Sequence, residues 1–414
     1  MSAPDVDVLV IGAGPAGCAA AALVHRAGLR AAIVERERFP RFVIGESLLP
    51  RCMDVLDEAG LLAAVDSRGY IIKRGARFVR GAETCEFDFA NQFTRGWSWT
   101  WQVPRDDFDA ALAGAVEAMG VPIRFAHEVV AARTGDDLQE LDVRGPGGEL
   151  RTLRGRWLID ASGFGRVLPR LFGLDAPTGQ PPRRAIFTHV VGDVRPPGPD
   201  EGRIWICIHP AGAWVWVIPF SDGRTSIGAV APEPFWEGRW DDADLEGTLR
   251  RVIAEEPNVA ERLAGATSVM PTRALRSYST AVRQLHGPGY CLVGNATEFL
   301  DPVFSSGVTL ALESASLAAR TVIRQLRGER PDWAAEYAAP MHRGTDVFRT
   351  FVDAWYDGTL ETIFFAPAIR DEFRRQICSV LAGYVWDEQN PFVARHHHRV
   401  RQLARLIEGG ALAS

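Results

Sequence analysis

The segment DVDVLVIGAGPAG, Asp5 to Gly17, decides how the rest of the chain is read. Asp5 to Ile11 is a β-branched run and reads as a buried strand. GAGPAG follows, then an Ala-rich helix to about Ala27, which Gly28 stops. Leu29 to Val34 forms a second strand, and Glu35 comes directly after it. A Gly-x-Gly-x-x-Gly turn between strand and helix, with an acid just past the next strand, is the context a dinucleotide site requires. The glycines permit a tight turn and close approach of the backbone to a pyrophosphate, and the helix N-terminus stabilises the phosphate charge. Gly12, Ala13, Gly14, Pro15, Ala16 and Gly17 are therefore the expected cradle. Glu35, with Arg36 beside it, is placed to meet the adenosine ribose.

Later segments extend the same pattern. Trp157-Leu158-Ile159 reads as a strand ending in DASG (160–163). YCLVGN (290–295) is another, followed by a loop and a long helix from about Gly307 to Leu326. Segments 183–192, 203–209, 213–220 and 224–230 are β-rich and broken by Gly, Pro and Asp, which predicts an inserted antiparallel sheet. The fold class is α/β: a Rossmann-type dinucleotide-binding fold with an inserted antiparallel β-sheet substrate domain and a helical C-terminal segment. The expected division gives residues 1–75, 100–180 and 275–330 to a discontinuous dinucleotide-binding domain. Residues 76–99 and 181–274 form the substrate-side sheet, and 331–414 the helical region. Trp97, Trp99 and Trp101 alternate, as do Trp214 and Trp216, which places their rings on one face of a strand.

Bulk properties narrow the class. Hydrophobic residues make up 47% and charged residues 24% of the 414, ordinary values for a globular protein. A net charge of −6 gives no reason to expect nucleic acid or an anionic membrane as partner. After Met1 to Pro4 the chain goes straight into its first strand, with no signal-peptide pattern and no run of 18 apolar residues. Six cysteines, none in a C-x-x-C pair, suggest neither a metal site nor a disulfide framework. A reducing cytoplasm fits best. His396, His397 and His398 lie in a basic helical pattern, ARHHHRVRQ, without accompanying acids or cysteines, and read as a solvated face; no metal is expected.

One residue stands apart. Of 46 Lys+Arg, only Lys73 is lysine. Lysine can lose its proton when buried and present a nucleophilic amine; arginine effectively cannot. Chance survival under an Arg-rich composition is the competing explanation.

The set DVDVLVIGAGPAG with Glu35, DASG, and GNATEFLDP (294–302) resembles the FAD-binding half of the flavoprotein monooxygenase superfamily. Three further stretches resemble the flavin-dependent halogenases: FPRFVIGESLLP (39–50), AWVWVIP (213–219) with its W-x-W-x-I-P pattern, and FLDPVFSSG (299–307). The resemblance covers roughly residues 5 to 330. It implies that FAD also meets Arg41, Ser47, Arg105, Asp160, Asn295 and Asp301. A surface Arg105 capping the following helix is the competing reading. Asn295 stands where that superfamily usually has Asp, which removes a charge and predicts easily lost cofactor.

The resemblance further implies a course of reaction. FAD, supplied as FADH2 by a separate NAD(P)H-dependent flavin reductase, converts chloride or bromide and oxygen to a hypohalous acid. Ser306 and Gly307 bind the halide through backbone N–H groups. Lys73, shortly after a GES-containing helix and among apolar neighbours such as Ile71, Ile72 and Phe78, passes the halogen to an aromatic small molecule. Trp214, Trp216, Ile218 and Pro219 keep the acceptor from the flavin. Phe304, near where tryptophan-type halogenases carry a Glu, points to phenol, pyrrole or indole-type acceptors, free or tethered to a carrier protein. An FAD-dependent aromatic hydroxylase and a geranylgeranyl-reductase-like flavoprotein are the alternatives.

Overall fold

Runs without a polar face build the parallel sheet of the computed structural model, which describes residues 4–410. Met1 to Ala3, which the sequence reading sets before the first strand, lie outside the described residues. Val6–Ile11 pairs in parallel with Leu150–Asp160 on one side and Ala31–Val34 on the other. Tyr290–Leu292 and Ile123–Arg124 extend the sheet outward. Strands covered on both faces need continuous apolar runs, which is what VLVI and AAIV supply. The register aligns Ile11 with Val34 and with Asp160, and Asp160 with Leu292. The carboxyl ends of four strands therefore share one edge, where an open α/β sheet takes its ligand. Gly12, Glu35, Ala161 and Val293 emerge there.

Helix Pro15–Arg26 covers this sheet and packs against helix Ser306–Leu326. The contact is close because the first helix presents a run of small buried residues, Ala19 to Ala22.

A second eight-stranded sheet carries the middle of the chain. Arg183–Val191, Arg224–Pro232, Trp214–Pro219 and Ile204–Ile208 run antiparallel in that spatial order. Gly75–Arg80 joins Ile204–Ile208 in parallel, and Glu83–Asp88 completes that edge. Residues 339–408 are mostly helical, with Ala339–Tyr356, Asp371–Leu381 and His396–Glu408 the longest helices there; residues 411–414 lie outside the described residues. Phe351, Trp355 and Phe364 pack from this region onto Phe78 and Phe304.

Two expectations are corrected. The GES segment does not lie on a helix. Residues 41–49 run as an irregular strap, and the helix begins afterwards, at Arg51–Glu58. Ser47 bridges to Gln102, and Leu48 N–H donates to Trp101 O, so the strap lies beside the two-stranded ribbon of Ile71–Lys73 and Thr100–Gln102. The alternating Trp97, Trp99 and Trp101 do not share one strand, since pairing starts at Thr100. Their rings instead form a chain of edge-to-face contacts at 5.6 and 5.2 Å, the geometry favoured by ring quadrupoles.

Candidate active site

The three glycines of the first turn do different work. Gly12 has φ +96°, and a Cβ there would lie 2.5 Å from Ala161 O. A Cβ on Gly17 would lie 1.9 Å from Gly12 O. Both are demanded by the turn itself. Gly14 is different: a Cβ there meets nothing nearer than Arg41 Nη2 at 3.6 Å. It faces an open cleft, so the feature it preserves is access for a ligand to the backbone. Helix Pro15–Arg26 starts here with no side-chain cap and no acid in its first turn, which leaves its N–H groups and positive end free for an anion.

The cleft is lined by Gly12, Gly14, Pro15, Ala16, Glu35 and Arg36 from the first strand–helix–strand unit. The strap adds Arg41, helix Arg105–Ala118 adds Arg105, and the turn after Tyr290–Leu292 adds Asn295. Glu35 Oε2 accepts from Ala13 N–H (2.8 Å) and Oε1 from Glu37 N–H (2.8 Å), which holds the carboxylate toward the cleft. Ala13 and Gly17 stand behind the cleft wall. Arg105 is buried, which rules out the surface-cap reading. It grips Asp109 with two hydrogen bonds (2.8 and 3.1 Å) and donates to Ile44 O and Gly45 O. Arg41 donates to the other side of the same carboxylate at 2.9 Å. Asp109, which sequence reading passed over, thus fastens the strap to helix Arg105–Ala118. An extended groove of backbone N–H groups and arginines, with the Glu35 carboxylate at the strand end, fits the anionic pyrophosphate and the polyhydroxyl arms of FAD.

Other expected cofactor residues lie elsewhere. Asp160 is fully buried, and its oxygens accept from Ser162 and Leu168 N–H (2.9 and 2.7 Å). Ala161 to Gly165 line the cleft in its place. Asp301 is also buried; it accepts from Tyr278 and Tyr356 hydroxyls (2.9 and 2.8 Å) and from Val303 N–H.

Ser47 lies on a second, mostly apolar pocket that continues from the cleft past Ile44, Gly45, Phe299, Gly307 and Val308, which line both. Trp214, Trp216 and Ile218 line it from the second sheet, and Ser305 and Gly307 from the start of helix Ser306–Leu326. The indoles are fixed: Trp214 Nε1 donates to Tyr356 Oη (2.9 Å) and Trp216 Nε1 to Ser226 Oγ (3.0 Å). Pro219 ends the strand outside the wall, and Phe304 is packed in the aromatic cluster behind it. Helix Ser306–Leu326 opens on this pocket. Its N-cap Ser305 has φ +57° and makes no side-chain cap, so serine capping does not occupy the N–H groups near Ser306 and Gly307.

Lys73 is 1% exposed. Its Nζ donates to Leu48 O at 2.8 Å and lies 5.6 Å from the Phe89 ring centre. Burial pushes the amine from 10.5 down to about 7, with Cys52 a smaller opposing influence. Its surroundings differ from expectation: Ile72 turns outward, 39% exposed, because alternate residues of a strand face opposite ways. Lys73 is in the wall of neither cavity. It sits behind the strap, bonded to the carbonyl of Leu48, the residue after the pocket-lining Glu46 and Ser47.

Among the described residues no three His, Cys, Asp or Glu are grouped to hold a metal, and no helix is long and apolar enough to cross a membrane. All six cysteines are free and buried. His397 and His398 are exposed, and His396 lies against Thr350.

Comparison with known proteins agrees with this geometry. The family model "FAD binding domain" matches residues 5–342. The chain is 31% identical to a tryptophan 2-halogenase of Chondromyces crocatus over 78% of this chain, and it spans 62% of that protein's length. It is 26% identical to a 1H-pyrrole-2-carbonyl-[peptidyl-carrier protein] chlorinase of Pseudomonas fluorescens, over 93% of this chain and 91% of that one. A solved flavoprotein/dehydrogenase from Cytophaga hutchinsonii superposes with a TM-score of 0.94 at 46% identity, covering 98% of this chain and 100% of that one. With the FAD binding domain model matching residues 5–342, the chain belongs to that FAD-binding family, and it is similar to halogenating flavoproteins.

Proposed function

We propose that this protein is an FADH2-dependent halogenase that places chloride or bromide on an electron-rich aromatic ring of phenol, pyrrole or indole type. When bound, the reduced flavin supplies the oxygen chemistry that converts halide to hypohalous acid. Gly14 and the helix N-terminus behind it hold the pyrophosphate, Glu35 the ribose, and Arg41, Arg105 and Asn295 the remainder of the cofactor. The uncapped N–H groups at Ser306 and Gly307 hold the halide. Trp214 and Trp216 keep the acceptor ring from the flavin. A separate NAD(P)H-dependent flavin reductase supplies the reduced cofactor, and the protein works in the cytoplasm. The carrier-protein substrate in the name of the pyrrole chlorinase makes a tethered acceptor a natural candidate beside a free one.

The observation that carries this reading is the environment of Lys73. A buried lysine without a carboxylate partner, held to Leu48 O by one N–H, keeps a lone pair available near neutral pH. Arginine offers no such nitrogen.

A second reading has its own support. The apolar pocket opens directly onto the cleft, whereas Lys73 lies behind the strap, and the 46% identical relative is called a flavoprotein/dehydrogenase. Both features suit a flavoprotein that oxidises or hydroxylates an aromatic held in the pocket. The deciding assay combines protein, FAD, a flavin reductase, NAD(P)H and oxygen with phenols, pyrroles and indoles, with and without bromide. Bromine in the product supports the halogenase. Oxygen gained, or hydrogen lost, without halide supports the second reading.

A further inference from the structure

Asp301 belongs to the FLDPVFSSG stretch, yet it lines neither the cofactor cleft nor the pocket beside it. It is buried, and its Oδ1 accepts from Val303 N–H at 3.1 Å, which caps the short helical turn Pro302–Phe304. That turn delivers Ser305 at φ +57°, and helix Ser306–Leu326 starts there with no side-chain cap. Asp301 Oδ2 accepts from Tyr278 Oη (2.9 Å) and Tyr356 Oη (2.8 Å), and Arg183 Nη1 lies 3.7 Å away. The carboxylate is thus a post for the turn that presents Ser306 and Gly307. Tyr356 adds a second link, because its hydroxyl also accepts from Trp214 Nε1 at 2.9 Å. The direction is fixed: an indole N–H only donates, and a carboxylate only accepts. Burial, and then the Asp301 charge, hold the Tyr356 hydroxyl well above the usual tyrosine range, so it remains a donor. The Arg183 guanidinium lies over the same ring, 3.7 Å from its centre. Tyr356 ends helix Ala339–Tyr356, beyond the residues 5–342 that match the FAD binding domain model. One hydroxyl from outside that stretch therefore ties a tryptophan of the W-x-W-x-I-P pattern to the aspartate before Pro302. Trp214, Val303, Ser305 and Gly307 line one pocket, so both ends of the link bear on it.

We propose that Tyr356 is a positioning residue for the halide: it holds Asp301, Asp301 sets the Pro302–Phe304 turn, and the turn aims the N–H groups of Ser306 and Gly307. This deepens the reading above and rests on its assignment of those N–H groups to chloride or bromide. Hydrogen bonds weaken steeply once donor and acceptor are misaligned, so a small rotation of the helix start loosens a halide before it disturbs the fold. Tyr356 itself lines neither cavity, and it acts only through its hydroxyl. Tyr356→Phe keeps the ring under Arg183. It leaves Trp214 Nε1 buried without its acceptor and Asp301 with one donor fewer.

The test titrates sodium bromide into FAD-loaded, oxidised protein, with gluconate keeping the ionic strength fixed, so that binding is read apart from turnover. The absorption and fluorescence of the bound flavin, which a halide seated beside the ring alters, report the dissociation constant. In Tyr356→Phe that constant should rise by roughly tenfold, the scale of one buried hydrogen bond, while FAD affinity stays within about threefold of the parent. A purely structural role would lower the melting temperature and leave the bromide constant unchanged, and that result overturns the proposal. In an Asp301→Asn background, Tyr356→Phe should shift the constant by less than about threefold, because the hydroxyl works through Asp301. The full shift in that background overturns the route. If Tyr356→Phe does not fold, Asp301→Asn alone decides: a parental bromide constant overturns the proposal. No saturable response in wild-type protein removes the halide assignment and the proposal with it. The expected shift in a protein that puts no bromine on phenols, pyrroles or indoles supports the role of Tyr356 and removes only the aromatic halogenation.

Discussion

The wide cleft and the inner pocket adjoin each other but are built on opposite principles. The cleft is made of backbone N–H groups at a helix end, arginines and Glu35 at the shared edge of parallel strands, with Glu37 and Glu128 also on its wall. Its partner must be anionic and long. The pocket is made of aromatic and aliphatic side chains from the second sheet, the strap and the loop before Ser306. Its partner must be flat and mostly apolar. The difference lies in who supplies specificity. In the cleft, main-chain geometry does so, and a side chain at Gly14 is harmful. In the pocket, a few polar atoms on an apolar surface do so, and each one counts.

If the two regions serve separate steps, they should fail separately. The largest separation should come from Lys73→Arg, which keeps charge and much of the length. Halogenation should fall by about 10²-fold or more, the scale of losing a positioned proton donor or acceptor. FAD titration and oxygen-dependent consumption of FADH2 should persist. A parental halogenation rate would end the role of Lys73, and loss of flavin oxidation would move Lys73 to the flavin side.

Gly14→Val should do the reverse. No atom lies within 3.5 Å of a Cβ at that position, so the melting temperature should hold while FAD affinity drops by about tenfold or more. Parental FAD titration would show that the cofactor does not cross this turn.

Acid should affect the two regions unequally. The amine of Lys73 is neutral above about 7 and protonated below it. Halogenation should therefore fall by roughly tenfold per pH unit below 7 and level off above, while FAD binding changes less. Between about 7 and 10.5 the unfolded chain holds a proton on Lys73 that the folded chain does not. Stability should thus rise with pH across that window, and Lys73→Met should flatten the slope in urea titrations. A flat rate profile through pH 7 would contradict a neutral-amine mechanism.

The smallest effect concerns Asn295, on the cleft wall. Asn295→Asp should slow loss of FAD during dialysis by a few-fold, the scale of one hydrogen bond made charge-assisted. Equal retention would mean that the amide serves as well as the acid.

How much could be read in advance follows the same division. Gly12 to Gly17, Glu35 and the long helix after GNATEFLDP were legible because their signals are local: a turn, a cap, a run of β-branched residues. Asp160 and Asp301 were drawn toward the cofactor by resemblance, but each is consumed by nearby donors, Ser162 and Leu168 for one, Tyr278 and Tyr356 for the other. Asp109 escaped notice because an acid four residues after an arginine on a helix is ordinary. Only the return of Arg41, 68 residues away in sequence, makes it a clamp. Tyr356 and Asp301 are 55 residues apart and meet only because helix Ala339–Tyr356 packs back onto the Pro302–Phe304 turn.

Sequence by itself determined the dinucleotide turn, the two-sheet α/β plan and the singular lysine, because these rest on spacing and on residue chemistry within short windows. Tertiary structure alone decided that Lys73 is enclosed, that its amine is pushed down to about 7, and that Tyr356 ties Trp214 to Asp301. Burial and hydrogen-bond partners are properties of everything that surrounds a group, and those surroundings come from elements far apart along the chain.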